Sequence, residues 1–193
     1  MSIQLDGNIV SLQLIQEQHV TDLYQIVKSN PAIWTHMTSN LESEEDMHKL
    51  VIHALKEHQC GKEIPFVVWH KELNRIVGST RLYNIKPEAR TCELGFTYYA
   101  TEVQRTAVNT ECKLLLLQHV FETLNMIRVQ ITTDILNLKS QKAIERIGGT
   151  REGVLRNDRQ LPNGRIRDAA IYSILDREWD TVKEKLHTML HAY

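Results

Sequence analysis

The sequence predicts a mixed α/β domain, a mostly antiparallel sheet of about seven strands with helices on both faces. Two observations predict it. Seven runs carry strand-like patterning and five carry apolar residues at helical spacing, in the order β-α-α-β-β-β-α-β-α-β-β-α. No internal repeat or linker interrupts the 193 residues, and a chain of that size buries roughly 70 % of its unfolded surface around one core. Residues 1–193 are therefore expected to form a single domain.

Each element has a local reason. Residues 9–15 alternate apolar and polar side chains after Gly7-Asn8, as a half-buried strand does. Val20, Leu23, Tyr24 and Val27 mark a helix from Gln18 to about Ser29, stopped by Asn30-Pro31. Ser43 reads as the N-cap of a second helix, whose stripe of Met47, Leu50, Val51, Ala54 and Leu55 ends before Gly61. Ile64–His70, Arg75–Ile85 and Thr91–Tyr99 are β-rich runs joined by connections short enough for hairpins. A helix is expected from about Thr106 to Leu124, a strand over Arg128–Thr133 and a short helix over Leu138–Ile147 closed by Gly148-Gly149. Val154–Gln160 and Arg165–Leu175 flank the turn Leu161-Pro-Asn-Gly164, and a last helix places Trp179, Val182, Leu186 and Leu190 on one face.

Composition excludes several classes. The chain is 42 % hydrophobic and 24 % charged with a formal net charge of -1, and its 23 Lys and Arg are spread out, so nucleic acid is not an expected partner. No stretch approaches the ~18 apolar residues of a membrane span, and residues 1–7 lack a basic and apolar leader, so a cytoplasmic protein is expected. Cys60, Cys92 and Cys112 lie far apart in apolar contexts and read as reduced, buried thiols.

Two segments can carry chemistry. Gln104-Arg105-Thr106-Ala107-Val108-Asn109-Thr110 joins a strand to a helix, and the free N–H groups at such a helix start form a cradle for a pyrophosphate. A plain cap by Thr106 or Asn109 explains the same residues. Asn137-Leu138-Lys139-Ser140 opens the next helix; Asn137 either caps it or meets a ligand, and Ser140 lies one turn on. Both segments follow consecutive strands, so their ends can flank one cleft.

Gln104 to Asn109 resembles the acetyl-CoA pyrophosphate loop of GNAT N-acetyltransferases, Gln/Arg-x-x-Gly-x-Gly/Ala, and Asn137 to Gly148 is similar to that family's second motif. Residues 151–179, from Arg-Glu-Gly-Val-Leu-Arg through Leu-Pro-Asn-Gly-Arg-Ile-Arg-Asp to Glu-Trp, resemble its RimJ/RimL subgroup, which contains N-terminal acetyltransferases of ribosomal proteins. The chain departs from the pattern where Ala107 and Asn109 replace glycines.

The resemblance implies a GNAT fold splayed between its fourth and fifth strands, acetyl-CoA as cosubstrate, no metal, a primary amine as acceptor and a homodimer. It implies that Arg105 and the amides of Thr106, Ala107, Val108, Asn109 and Thr110, with Gln104, hold the pyrophosphate. The strand backbone at Phe96, Thr97 and Tyr98 would pair with pantetheine, Asn137 would bind its amide, and Ser140 would protonate the departing thiolate.

Acyl transfer also needs a base and an oxyanion donor. Glu93 matches the family's occasional base, with Glu152 second, and a backbone N–H near Phe96 or Thr97 would serve the oxyanion. Alternation places Leu94 and Phe96 on one side of the strand and Glu93 and Gly95 on the other. A degenerate relative that binds acyl-CoA or a protein without turnover is the alternative reading. His187 and His191, four apart, and the evenly spaced His48, His53 and His58 make no metal face. The charges of Arg156, Asp158, Arg159, Arg165, Arg167 and Asp168 read as a solvated hairpin.

Overall fold

The computed structural model describes residues 3–193. Its elements are β1 (Gln4–Asp6), β2 (Val10–Leu14), α1 (Val20–Ser29), α2 (Glu44–Gln59), β3 (Ile64–His70), β4 (Arg75–Lys86), β5 (Thr91–Tyr99), α3 (Val108–Gln118), β6 (Arg128–Asp134), α4 (Leu138–Arg146), β7 (Thr150–Gln160), β8 (Ile166–Leu175) and α5 (Trp179–His191). They make one eight-stranded sheet in the order β1-β2-β3-β4-β5-β6-β8-β7, antiparallel everywhere except between β5 and β6. The eighth strand is β1, three residues too short to show alternation in the sequence.

The helices begin and end for local reasons. Ser43 Oγ accepts the Asp46 N–H at 3.2 Å, and the Asp46 carboxylate accepts the Ser43 N–H at 3.0 Å, closing a reciprocal cap on α2. Gly148 ends α4 at φ 101°, where a Cβ would also lie 2.7 Å from Val182. The expected helix from Thr106 to Leu124 starts later, at Val108, because Arg105 adopts φ 63° and turns the chain. Its last turn, His119–Thr123, widens to π geometry before Asn125 at φ 51°.

Ser79, Arg81, Phe96 and Tyr98 face a cavity shared with α1 and α2, whereas Thr97, bonded to Thr80, meets Lys113 of α3, so the helices cover opposite faces. The central helix α3 also carries Glu111, 4 % exposed. Its carboxylate accepts the N–H groups of Asn8, Ile9 and Val10 at 2.8, 2.8 and 2.7 Å, tying the β1–β2 turn to α3. Gly7 is required beside it: a Cβ there would stand 2.4 Å from Glu111 Cδ. Cys92 and Cys112 are buried as expected, but Cys60 is exposed at the end of α2, where the chain leaves the helix toward solvent.

Candidate active site

β5 and β6 pair only at Thr91 with Arg128, Cys92 with Val129 and Glu93 with Gln130. Beyond Glu93 the two strands diverge, which is the splay expected between the fourth and fifth predicted strands. The Arg90 carbonyl accepts the Ile127 N–H at 2.8 Å, so even-numbered residues of β5 direct their backbone groups toward β6. The backbone of Leu94 and the N–H of Phe96 consequently face the cleft with no β6 partner among the described residues.

On its other edge β5 bulges. Arg81 pairs with Gly95 and Ser79 with Tyr98, so Phe96 and Thr97 together oppose Thr80. Phe96 takes φ 49°, a left-handed conformation uncommon outside glycine and asparagine. This reverses the face predicted for its side chain. The ring lies edge-on to Tyr83 at 5.1 Å and under the Arg81 guanidinium at 4.4 Å, on the Glu93 side rather than the Leu94 side.

Two helix starts flank the cleft. In the loop before α3, Thr106 Oγ1 donates to the Val103 carbonyl at 2.7 Å and accepts the Val108 N–H at 3.3 Å. The amides of Thr106, Ala107, Asn109 and Thr110 have no acceptor among the described residues, and Arg105 is exposed without a carboxylate partner there. Across the cleft, Asn137 Oδ1 accepts the Ser140 N–H at 3.0 Å, which leaves its Nδ2 to donate elsewhere. Ser140 is half-buried and its hydroxyl has no partner among the described residues. Gln104 spans the gap, donating to the Tyr99 carbonyl at 3.0 Å and accepting from Lys139 Nζ at 2.7 Å. These free amides and cations suit a diphosphate-bearing thioester lying along the cleft.

Three of the expected cofactor contacts have partners within the protein. Gln104 is occupied at both polar ends and serves the loop; the Val108 amide is spent on Thr106. Tyr98 is 7 % exposed, with its ring against Trp34 at 5.2 Å and Ser79 as its register partner.

On the face carrying Glu93, the carboxylate accepts from Asn84 Nδ2 at 2.8 Å beside Tyr83. Glu152 is held differently. Arg128 contacts both its oxygens, at 2.6 and 2.5 Å, Ser173 adds 2.7 Å, and these bonds hold its carboxyl down at about 2. Such a carboxylate is a poor base at neutral pH.

The supposedly solvated hairpin charges are partly internal. Arg167 is 5 % exposed near Asp158, and Arg165 binds Asp134, whose side chain is fully buried at the end of β6. Asp134 also meets His36 Nδ1 at 3.4 Å and the Leu136 N–H at 3.0 Å. Burial pushes its carboxyl up, but these donors, Arg165 foremost, hold it below the usual range. The segment between α1 and α2 is thereby joined to the β7–β8 turn. Beside it lies a cavity of about 220 Å³ walled by Leu23, Trp34, Met47, Val51, Arg81 and Phe96. Neither Asp134 nor His36 stood out in the sequence, because each partner lies roughly a hundred or thirty positions away.

Residues 10–150 match the family model described as acetyltransferase (GNAT) domain. The chain belongs to the GNAT acetyltransferase family. Among GNAT relatives, the Bacillus subtilis (strain 168) protein YdaF, provisionally named a ribosomal N-acetyltransferase, is 34 % identical over 108 residues. That match covers 56 % of this chain and 58 % of YdaF. A crystal structure of a GCN5-related N-acetyltransferase from Brucella melitensis superposes with a TM-score of 0.90 at 26 % identity, covering 97 % of this chain and 85 % of that one. RimL, a ribosomal L7/L12 alpha-N-protein acetyltransferase solved with coenzyme A, superposes at 0.78 and 21 % identity over 90 % of this chain and 98 % of its own, a likeness of fold alone. The splayed GNAT sheet and both helix starts thus occur in an acetyltransferase domain.

Proposed function

We propose that this GNAT enzyme transfers acetyl from acetyl-CoA to a primary amine, a protein N-terminus or a small amine, by direct attack while both substrates are bound. The observation that carries this reading is the splay after Glu93, whose unpaired β5 backbone lies between two helix starts rich in free N–H groups. In this reading Arg105 and the amides of Thr106, Ala107, Asn109 and Thr110 hold the diphosphate. Asn137 Nδ2 donates to the pantetheine, Glu93 takes the amine proton, the Phe96 N–H stabilises the oxyanion, and Ser140 protonates the sulfur as the C–S bond breaks.

A covalent route through a cysteine is disfavoured. Burial pushes the Cys92 and Cys112 thiols up to about 12, which leaves almost no thiolate at neutral pH. Three thiols without a disulfide among the described residues fit a reducing cytoplasm. The similarity to YdaF, provisionally named a ribosomal N-acetyltransferase, favours a protein amine over a small one as acceptor.

Thiol release from acetyl-CoA, followed with a panel of peptides and small amines, tests the reading. We expect release that depends on both substrates, with intersecting double-reciprocal lines. Coenzyme A should raise Tm with concentration, and Arg105→Glu should weaken that rise. Binding without any amine-dependent release would establish the non-catalytic alternative.

A further inference from the structure

Lys113 is 6 % exposed on α3. Its ammonium can donate three hydrogen bonds, and the one it makes among the described residues is to Thr97 Oγ1 at 3.0 Å. Such a group is expensive to bury unless something requires it.

The bond leads to the bulge. Thr97 Oγ1 lies 3.3 Å from the Gly95 carbonyl and 2.8 Å from Thr80 Oγ1. A lysine can only donate, so Thr97 accepts from it and has its own proton for Gly95; Thr80 is then the donor in the remaining contact. The Gly95 carbonyl and the Phe96 N–H belong to one planar trans peptide and point in opposite directions. Fixing the carbonyl toward Thr97 therefore turns the N–H away, toward the open β6 side.

We propose that Lys113 is a positioning residue for acyl transfer: through Thr97 it holds the Gly95–Phe96 peptide with its N–H directed at the reacting carbonyl. The inference rests on the acetyl-transfer reading above. It explains why an unpaired cation is kept under the one β5 segment that lacks ladder partners on both sides. Without it, Thr97 and Thr80 could exchange donor and acceptor roles, and Thr97 could turn its proton from the Gly95 carbonyl to Thr80, which would release the peptide.

Burial brings the Lys113 ammonium down to about 8, against which Cys112 of the same helix acts weakly. Thr97 of β5 and Thr80 of β4, which face it, do not titrate at accessible pH, and the Glu111 carboxylate is turned to the amides of Asn8 to Val10. A lysine whose folded value lies below its unfolded ~10.4 destabilises the fold while charged. That penalty is complete below about pH 8 and disappears as pH rises toward the unfolded value.

The test compares Lys113→Met, Thr97→Val and Thr97→Ser with the wild type for steady-state acetyl transfer and melting. We expect Lys113→Met to lower kcat at least tenfold, with KM for acetyl-CoA changed less than twofold. Its Tm should rise at pH 7, and the rise should shrink between pH 8 and 10.5. Thr97→Val should lose kcat similarly, Thr97→Ser should keep most of it, and the Lys113→Met, Thr97→Val double variant should be no slower than the slower single. An active wild type with unimpaired Lys113→Met overturns the inference, as does a parallel fall of kcat and Tm. If Lys113→Met fails to fold, equal activity of the two Thr97 variants overturns it. Absence of amine-dependent turnover in the wild type would instead refute the acetyl-transfer reading itself.

Discussion

Phe96 and Glu93 show how far a single residue can be read. Strict alternation correctly places Glu93 and Gly95 together, yet Phe96 joins them because a left-handed residue in a bulge breaks the period of two. No side-chain pattern announces a bulge in a run such as Glu-Leu-Gly-Phe-Thr-Tyr. Asn137, Ser140 and Arg105 were legible because their spacing is local to a helix start. Lys113, Asp134 and Glu111 were not, since their partners come from other elements.

At this scale the prediction concerns the two proposed proton carriers. Ser140→Ala should lower kcat roughly 10²-fold and leave KM for acetyl-CoA nearly unchanged, since the hydroxyl acts chiefly in the transition state. Glu93→Gln should lose turnover at neutral pH and regain part of it in alkaline buffer, where more amine arrives deprotonated. A pH series of initial rates reads both. A loss under about threefold at neutral pH would make the substituted residue structural.

At the scale of elements, α3 joins the β5–β6 cleft to the N-terminal hairpin. Its first turn leaves amides free and presents Glu111 to the β1–β2 turn, and Lys113 lies under the bulge. Substituting Gly7→Ala puts a methyl group against a carboxylate that three amides hold in place, so the side chain cannot yield cheaply. Overpacking of this kind costs about 1–3 kcal/mol, which lowers Tm by roughly 2–12 °C in a domain of this length. Glu111→Ala should destabilise at least as much by leaving three amides, the buried Val10 N–H among them, without their acceptor. If the clash is the cause, Gly7→Ala should cost little more once Glu111→Ala is present. Additive shifts in thermal melts would show that Gly7 matters for some other reason. The long elements were legible in the sequence, β1 was not, and the ends of α3 moved because Arg105 and Asn125 leave the right-handed region.

The whole molecule ends its sheet on β7, which is exposed on nearly every residue and has β8 on one side only. Val154, Leu155 and Ile166 are 39, 53 and 51 % exposed on that hairpin. An edge strand of eleven residues with backbone open on one side, and with Val154 and Leu155 exposed on it, is a liability in a lone chain. We propose that a second copy covers it. Sedimentation at tens of micromolar should give twice the 22.4 kDa chain mass, and Leu155→Glu should return it to a single chain. A wild type that sediments as one chain would sink the proposal.

The Glu111 contact also orders events during synthesis. It joins positions 101 to 103 residues apart, so β1 and β2 leave the ribosome long before the carboxylate they need. At about 5–20 residues per second that wait lasts roughly 5–20 s. Through it the amides of Asn8, Ile9 and Val10 are answered by water, and the sheet's first edge is completed only when the helix that flanks the β5–β6 cleft has been made.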